Sequence, residues 1–212
     1  LGTVSGGSRR QDMLYVLPAV SVSFQKQSAN AAIISGNNTY QFDGATFDIF
    51  ESASDARVGT VQMDSNGRAQ ATLLPNTAYY LVETKAPAGY VPRRDRIAFT
   101  TGNDGGQVAI DEQPGTINLR IVKLDAATNA GPQAGSSLVG AEFTCVSQST
   151  PGWAQILTTD ESGRATLVDV PLGTFTIYES KAPEGYLPSN DSWTYTVGAD
   201  QLGDSGVVEM ES

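Results

Sequence analysis

Four side chains in this 212-residue sequence stand where they could do chemistry: Lys26 with Glu83, and Lys123 with Glu179. Each lysine closes a short alternating run, Val22-x-Phe24-x-Lys26 or Leu119-x-Ile121-x-Lys123. Each glutamate closes another, Tyr79-x-Leu81-x-Glu83 or Phe175-x-Ile177-x-Glu179. Alternate residues of a strand share a face, so each charged group is carried inward behind two apolar neighbours. A lone buried charge is too costly to keep, so each predicts a partner of opposite sign. Burial also lowers an amine's pKa and raises a carboxyl's. The neutral amine is then a nucleophile and the protonated acid a proton donor.

The elements that must hold these groups occur twice. Tyr79–Pro92 and Phe175–Pro188 are strands rich in aromatic and β-branched residues, followed by Ala-Pro-x-Gly-Tyr. Proline and glycine there force the chain out of the strand. A shift of 96 residues lays Gly44-Ala45-Thr46-Phe47 on Gly140-Ala141-Glu142-Phe143, and Asp64–Ala69 on Asp160–Ala165. From Met63 to Pro92, 12 of 30 positions are identical to those 96 residues on, which marks an internal duplication. Each copy reads as lysine strand, variable loop, Gly-Ala-x-Phe strand, a hairpin turn at Asn66-Gly67 or Ser162-Gly163, glutamate strand, and closing strands. The closing strands are Ile97–Thr100 with Val108–Ile110, and Trp193–Val197 with Val207–Met210. About seven short strands per copy predict a β-sandwich. The first module spans 18–113 and the second 114–212, and the short joint at Pro114-Gly115 predicts close stacking. Residues 1–17, with a candidate strand at Met13–Leu17, read as a linker or the tail of a preceding module.

Composition narrows the function classes. With 22 glycines and 10 prolines and little helical periodicity, the chain is expected to be all-β. A net charge of −10 argues against nucleic acid, whose phosphates need Lys and Arg. The lack of histidine removes the usual acid–base residue and the commonest metal ligand. The single cysteine, Cys145, excludes an intrachain disulfide and reads as a buried core thiol. No cofactor, metal or small-molecule substrate is expected, and no catalytic triad or phosphate loop is present. The start at Leu1, with no signal or spanning segment, reads as a piece of a longer protein.

The repeated E-T/S-K-A-P-x-G-Y strand, preceded by Gly-Ala-x-Phe and a lysine strand, resembles the Cna B-type domain of Gram-positive collagen adhesins and sortase-assembled pilins. The resemblance covers both modules. It implies two tandem reverse-immunoglobulin-like (prealbumin-like) β-sandwiches, each locked in many family members by an isopeptide bond. There a first-strand lysine joins a last-strand Asn or Asp, assisted by the glutamate. Carried over, the lysines are Lys26 and Lys123 and the assisting acids Glu83 and Glu179. The sequence departs from the pattern at the acceptor. Alternation from Val108 and Ile110 leads to Glu112, and a bulge would bring Asp111 inward instead. The same count in module two gives Val208, Met210 and Ser212, leaving that acceptor unknown. A covalent Lys26–Asp111 link and a non-covalent buried Lys–Glu pair both remain open here.

The resemblance implies a structural, non-enzymatic stalk or pilin-type segment, extracellular and wall-anchored through regions outside this sequence. Its partners would be neighbouring modules, sortase-linked pilus subunits or host extracellular matrix. The alternative is an adhesin module that binds matrix protein or glycan through loops 29–43 and 126–138 or the Trp153 loop. Trp193, aligned with Ile97, reads as core.

Overall fold

The computed structural model describes residues 18–133, 135–203 and 205–211, so the expected linker at 1–17 lies outside the described residues. Module one contains β1 (Val20–Ser28), β2 (Thr46–Glu51), β3 (Arg57–Gln62), β4 (Arg68–Leu73), β5 (Ala78–Lys85), β6 (Ile97–Thr100) and β7 (Gly106–Glu112). These form a three-stranded sheet ordered β4-β1-β7 and a four-stranded sheet ordered β3-β2-β5-β6. β1 and β7, the first and last strands, run parallel; every other pairing in the module is antiparallel. Inward residues of both sheets (Val22 and Phe24 from one, Phe47, Ile49 and Leu81 from the other) make one core.

Module two repeats the plan with β8 (Thr116–Val122), β9 (Glu142–Ser147), β10 (Ala154–Thr158), β11 (Arg164–Pro171), β12 (Gly173–Lys181), β13 (Ser192–Val197) and β14 (Val207–Glu211). Its sheets are β11-β8-β14 and β10-β9-β12-β13. Cys145 fills a core slot among Phe143, Phe175 and Ile177, and burial pushes its thiol up to about 11.

The Asn66-Gly67 turn is not the hairpin expected from its residues. β3 and β4 lie in opposite sheets, so the turn is an arch carrying the chain across the sandwich, as is the turn at Ser162-Gly163 between β10 and β11. Its chemistry is otherwise as the sequence suggests. Asp64 Oδ1 accepts the N–H groups of Asn66 and Arg68, Asp160 does the same for Ser162 and Arg164, and Gly67 and Gly163 adopt φ of +70°. Such turn chemistry fixes the local bend, not which sheet the next strand joins.

The variable loop of module one carries a short helix, α1 (Ala31–Ile34), capped by the Asn30 side chain. The loop then lies across the joint. Asn37 donates to the Leu172 carbonyl and the Thr150 hydroxyl, and Thr150 donates to the Ile33 carbonyl. Tyr40 and Tyr90 belong to the same buried cluster as the core of module two. The Ala-Pro-Ala-Gly-Tyr exit completes the clasp: Gly115 N–H donates to the Gly89 carbonyl and Val91 N–H to the Gln113 carbonyl. A Cβ on Gly89 would meet the Thr39 carbonyl at 2.8 Å, so this close approach requires glycine.

Candidate functional site

In module one, β1 carries Lys26 inward behind Val22 and Phe24, and its ammonium is fully buried. The arch glycine fixes the strand there, because Lys26 N–H donates to the Gly67 carbonyl at 2.7 Å. The same bond joins Lys123 N–H to Gly163 at 2.8 Å in module two. Lys26 Nζ lies 2.6 Å from Glu83 Oε1, across the sandwich on β5, and 3.0 Å from Glu112 Oε1, on neighbouring β7. It also sits 4.4 Å from the centroid of the Phe47 ring, whose face attracts a cation. One amine therefore meets both sheets and ties the first strand of the module to its last.

Glu83 is held from its other oxygen: Oε2 accepts Arg93 N–H at 2.7 Å. The Arg93 side chain turns back over the site, with Nε 3.7 Å from Glu112 Oε1 and its guanidinium donating to the Asp111 carbonyl. Two basic and two acidic side chains are thus gathered. The hydrogen bonding of this cluster is incomplete. Arg93 Nε and Glu112 Oε1 are buried without a hydrogen-bond partner, the Lys26 contact to Glu112 lying outside hydrogen-bond geometry. Burial pushes the Glu112 carboxyl up, Lys26 beside it pulls it down, and the net shift is upward.

Of the two acceptor candidates, Glu112 lies beside Lys26 and Asp111 does not. β7 pairs with β1 without a bulge from Val22↔Gly106 to Ser28↔Glu112, so strict alternation turns Ile110 and Glu112 inward. Asp111 points outward, where its carboxylate accepts from Gln27 Nε2 at 2.6 Å.

Module two repeats half of the arrangement. Lys123 Nζ lies 2.9 Å from Glu179 Oε1, and Glu179 Oε2 accepts Ser189 N–H at 2.7 Å, as Glu83 accepts that of Arg93. Among the described residues no second acid forms an ion pair with Lys123, and its side chain is 15% exposed where that of Lys26 is 0%. The expected equivalence of Ser212 with Glu112 does not hold in register. Val22 pairs with Gly106, whereas its counterpart Leu119 pairs with Met210. Met210 therefore matches Gly106, and the counterpart of Glu112, six residues on, is position 216, past the last residue of the sequence.

The two tryptophans exchange their expected places. Trp153 packs against the core of module two, and Trp193 is 40% exposed although it sits opposite inward-facing Ile177. Loop 29–43, a candidate for ligand recognition, is engaged by module two. Loop 126–138 is anchored at its base by Asp125, which accepts from Ala127 N–H, Thr128 N–H and the Tyr186 hydroxyl. Among the described residues no group of three or more His, Cys, Asp or Glu is arranged to hold a metal ion.

The sequence profile of the SpaA prealbumin-like fold domain matches this chain twice, over residues 30–114 and 118–211. No curated protein matches at a significant level. Among solved structures, the Bacillus anthracis TIE protein is similar over 92% of this chain, with 22% identity and a TM-score of 0.63. The pilus adhesin SpaC from Lactobacillus rhamnosus GG is similar over 85%, with 18% identity and a TM-score of 0.49. BcpA, the major pilin subunit of Bacillus cereus, is similar over 92%, with 14% identity and a TM-score of 0.35. The chain spans 33% of the TIE protein chain, 26% of the SpaC chain and 99% of the BcpA chain. At these identities the likeness is one of fold.

Proposed function

The chain belongs to the SpaA prealbumin-like fold family, and from that premise we propose that it is a non-enzymatic, load-bearing pair of modules in a Gram-positive surface shaft or adhesin. On this reading it lies outside the cell, is anchored to the wall through regions beyond this sequence, and has neighbouring modules or sortase-linked subunits as partners. The observation that carries the reading is the position of Lys26, within 3.0 Å of an acid on the facing sheet and of another on the last strand. A pull applied between the first and last strands of a module passes through that point.

In module one the contact closes into an amide between Lys26 and Glu112. Glu83 takes a proton from the ammonium, freeing the amine lone pair. Lys26 Nζ attacks Glu112 Cδ, forming the C–N bond, and the carbonyl electrons shift onto Oε1. Arg93 Nε, buried and unsatisfied beside that oxygen, meets the developing charge. Collapse breaks the other C–O bond: Glu83 passes its proton to the departing hydroxyl, which leaves as water, and then takes the surplus proton from the Lys26 nitrogen, so that a neutral amide and a protonated Glu83 remain. The step is redox-neutral and needs no co-reactant, because the fold supplies the proximity. The upward shift of the Glu112 carboxyl favours the protonated acid, the form from which hydroxide can leave as water.

Intact-mass spectrometry tests the closure. The folded chain is expected to weigh about 18 Da less than its sequence, the mass of one water lost in amide formation, with a branched Lys26–Glu112 peptide after digestion. A full sequence mass overturns the covalent bond and leaves a non-covalent ion cluster. Single-molecule stretching tests the load-bearing role, since a closed module one should hold residues 27–111 outside the force path.

A further inference from the structure

Three segments of module one meet at the joint, and each springs from a residue of the buried charge cluster. Loop 29–43 follows β1 just past Lys26. The exit segment 86–92 leaves β5 just past Glu83, and Glu83 Oε2 also closes it by accepting Arg93 N–H. Segment 113–115 leaves β7 directly after Glu112 and enters β8 at Thr116. Lys26 Nζ lies within 3.0 Å of both acids, so one amine gathers the roots of all three.

Beyond these roots the segments are bonded to one another. Ala29 N–H donates to the Glu112 carbonyl at 2.8 Å, and Gln41 N–H to the Ala88 carbonyl at 3.1 Å. Tyr90 pairs with Pro114 as an isolated bridge, and its ring packs against Tyr40 and Phe42, with centroids 5.7 and 5.1 Å away. The Tyr90 hydroxyl, pushed up to about 12 chiefly by burial, is close enough to Glu112 for that carboxylate to add to the rise. From this assembly the contacts reach module two. Tyr40 holds Leu172, Asn37 holds Thr150 and Leu172, and Val91 packs on Gly206, where a Cβ would run into the valine.

We propose that the cluster is the keystone of the joint: the contacts of Lys26 with Glu83 and Glu112, as ions or as an amide, set how firmly module one holds module two. Tying the three roots together removes conformational freedom that the segments would otherwise lose on closing over module two. The coupling is reciprocal, so whatever loosens the joint also loosens the cluster. Bending stiffness of the pair is thereby governed from inside one module. The ion contacts suffice for this, so the mass measurement on module one does not decide it.

Hydrogen exchange of single amides in the full chain tests both directions. Lys26→Met is compared with Leu73→Ala, which opens a cavity at the far end of the module one core, where β4 pairs with Val20. Exchange at Phe24, in the central strand, reports that both variants loosen module one. Lys26→Met is expected to speed exchange of Leu172 N–H on the order of tenfold or more, and Leu73→Ala far less. Thr150→Val, made in module two, cuts the bonds to Asn37 and Ile33 and stays decisive even where Lys26→Met fails to fold. It should speed exchange of Arg93 N–H, held by Glu83, roughly threefold or more, and leave Ser189 N–H, held by Glu179, unchanged. Equal acceleration of Leu172 by Lys26→Met and Leu73→Ala would overturn the coupling. So would an Arg93 amide that Thr150→Val moves no more than Ser189.

Discussion

Tyr40 of module one and Leu172 of module two meet across the joint: Tyr40 Oη accepts Leu172 N–H at 2.8 Å and donates to the Gly115 carbonyl at 2.7 Å. One phenol thereby satisfies a buried donor and a buried acceptor, and burial pushes its own pKa up to about 12. Tyr40→Phe keeps the ring and strands both backbone groups. Leaving a buried polar group unpaired costs about 1–3 kcal/mol, so the modules should lose coupling as well as stability. In denaturant, the transitions of the two modules are expected to lie further apart in the variant than in the native chain. An unchanged unfolding curve in Tyr40→Phe would show that the joint is held elsewhere.

Removing Lys26 should cost more than any surface change. Lys26→Met leaves Glu83 and Glu112 together in the core, with Arg93 Nε still 3.7 Å from Glu112. Breaking a buried ion pair by taking one partner costs about 3–5 kcal/mol, which should appear as a lower denaturant midpoint for module one. Module two, with its own core, should keep most of its stability. Where the amide closes in the native chain, Lys26→Met also restores the full sequence mass.

The same variant exposes a pH dependence that a closed amide would hide. Burial already pushes the Glu112 carboxyl up, and deleting Lys26 removes the neighbour that pulls it down. A carboxyl with a raised folded pKa binds more protons folded than unfolded, so stability falls as pH rises from its unfolded value. Lys26→Met should therefore be most stable near or below about pH 4, the range of an ordinary glutamate, and weaken toward neutrality. Adding Glu112→Gln should flatten the slope, as followed by thermal unfolding across pH.

The paired charges and the duplicated strand order were legible because both follow from short-range patterns, period two within a strand and self-similarity at 96 residues. Alternation also turned Glu112 inward; the pull toward Asp111 came from the family's shorter acceptor and required a bulge that β7 does not contain. The arch at Asn66-Gly67 looked like a hairpin because one turn chemistry serves both, and only long-range pairing decides the sheet. Arg93 and Ser189 hold the glutamates through main-chain N–H groups, which no side-chain pattern reveals. Tyr40 and Trp193 depend on what lies beyond their own module's pattern, a neighbour for one and an uncovered edge for the other.

Gly67 offers a way to disturb the site without touching a charge. It holds φ of +70°, and a Cβ there would lie 2.9 Å from the Lys26 carbonyl and 3.1 Å from the Phe42 ring. Left-handed backbone costs a residue with a Cβ roughly 1–2 kcal/mol, and the backbone contact with β1 adds to it. Gly67→Ala should lower the stability of module one and displace Lys26 from its acids, slowing closure after refolding as read by mass. Gly163→Ala should be milder at the backbone, where the matching contact with Lys123 is 3.1 Å, although Leu138 stands 3.3 Å away. Equal losses at the two glycines would show that φ alone, rather than contact with the lysine strand, sets the cost.

Cys145 provides a reporter for module two that leaves the charged cluster intact. Its thiol is fully buried and pushed up to about 11 by that burial, so at pH 8 the folded protein presents almost no thiolate to a reagent. Iodoacetamide should label the native chain only through unfolding of module two, and the labelling rate then follows the population of the open form. Tyr40→Phe, which loosens the cap over that module, should raise the rate. Lys26→Met should raise it much less, because its damage lies in the other core. Equal acceleration by both variants would mean that the two sandwiches open together.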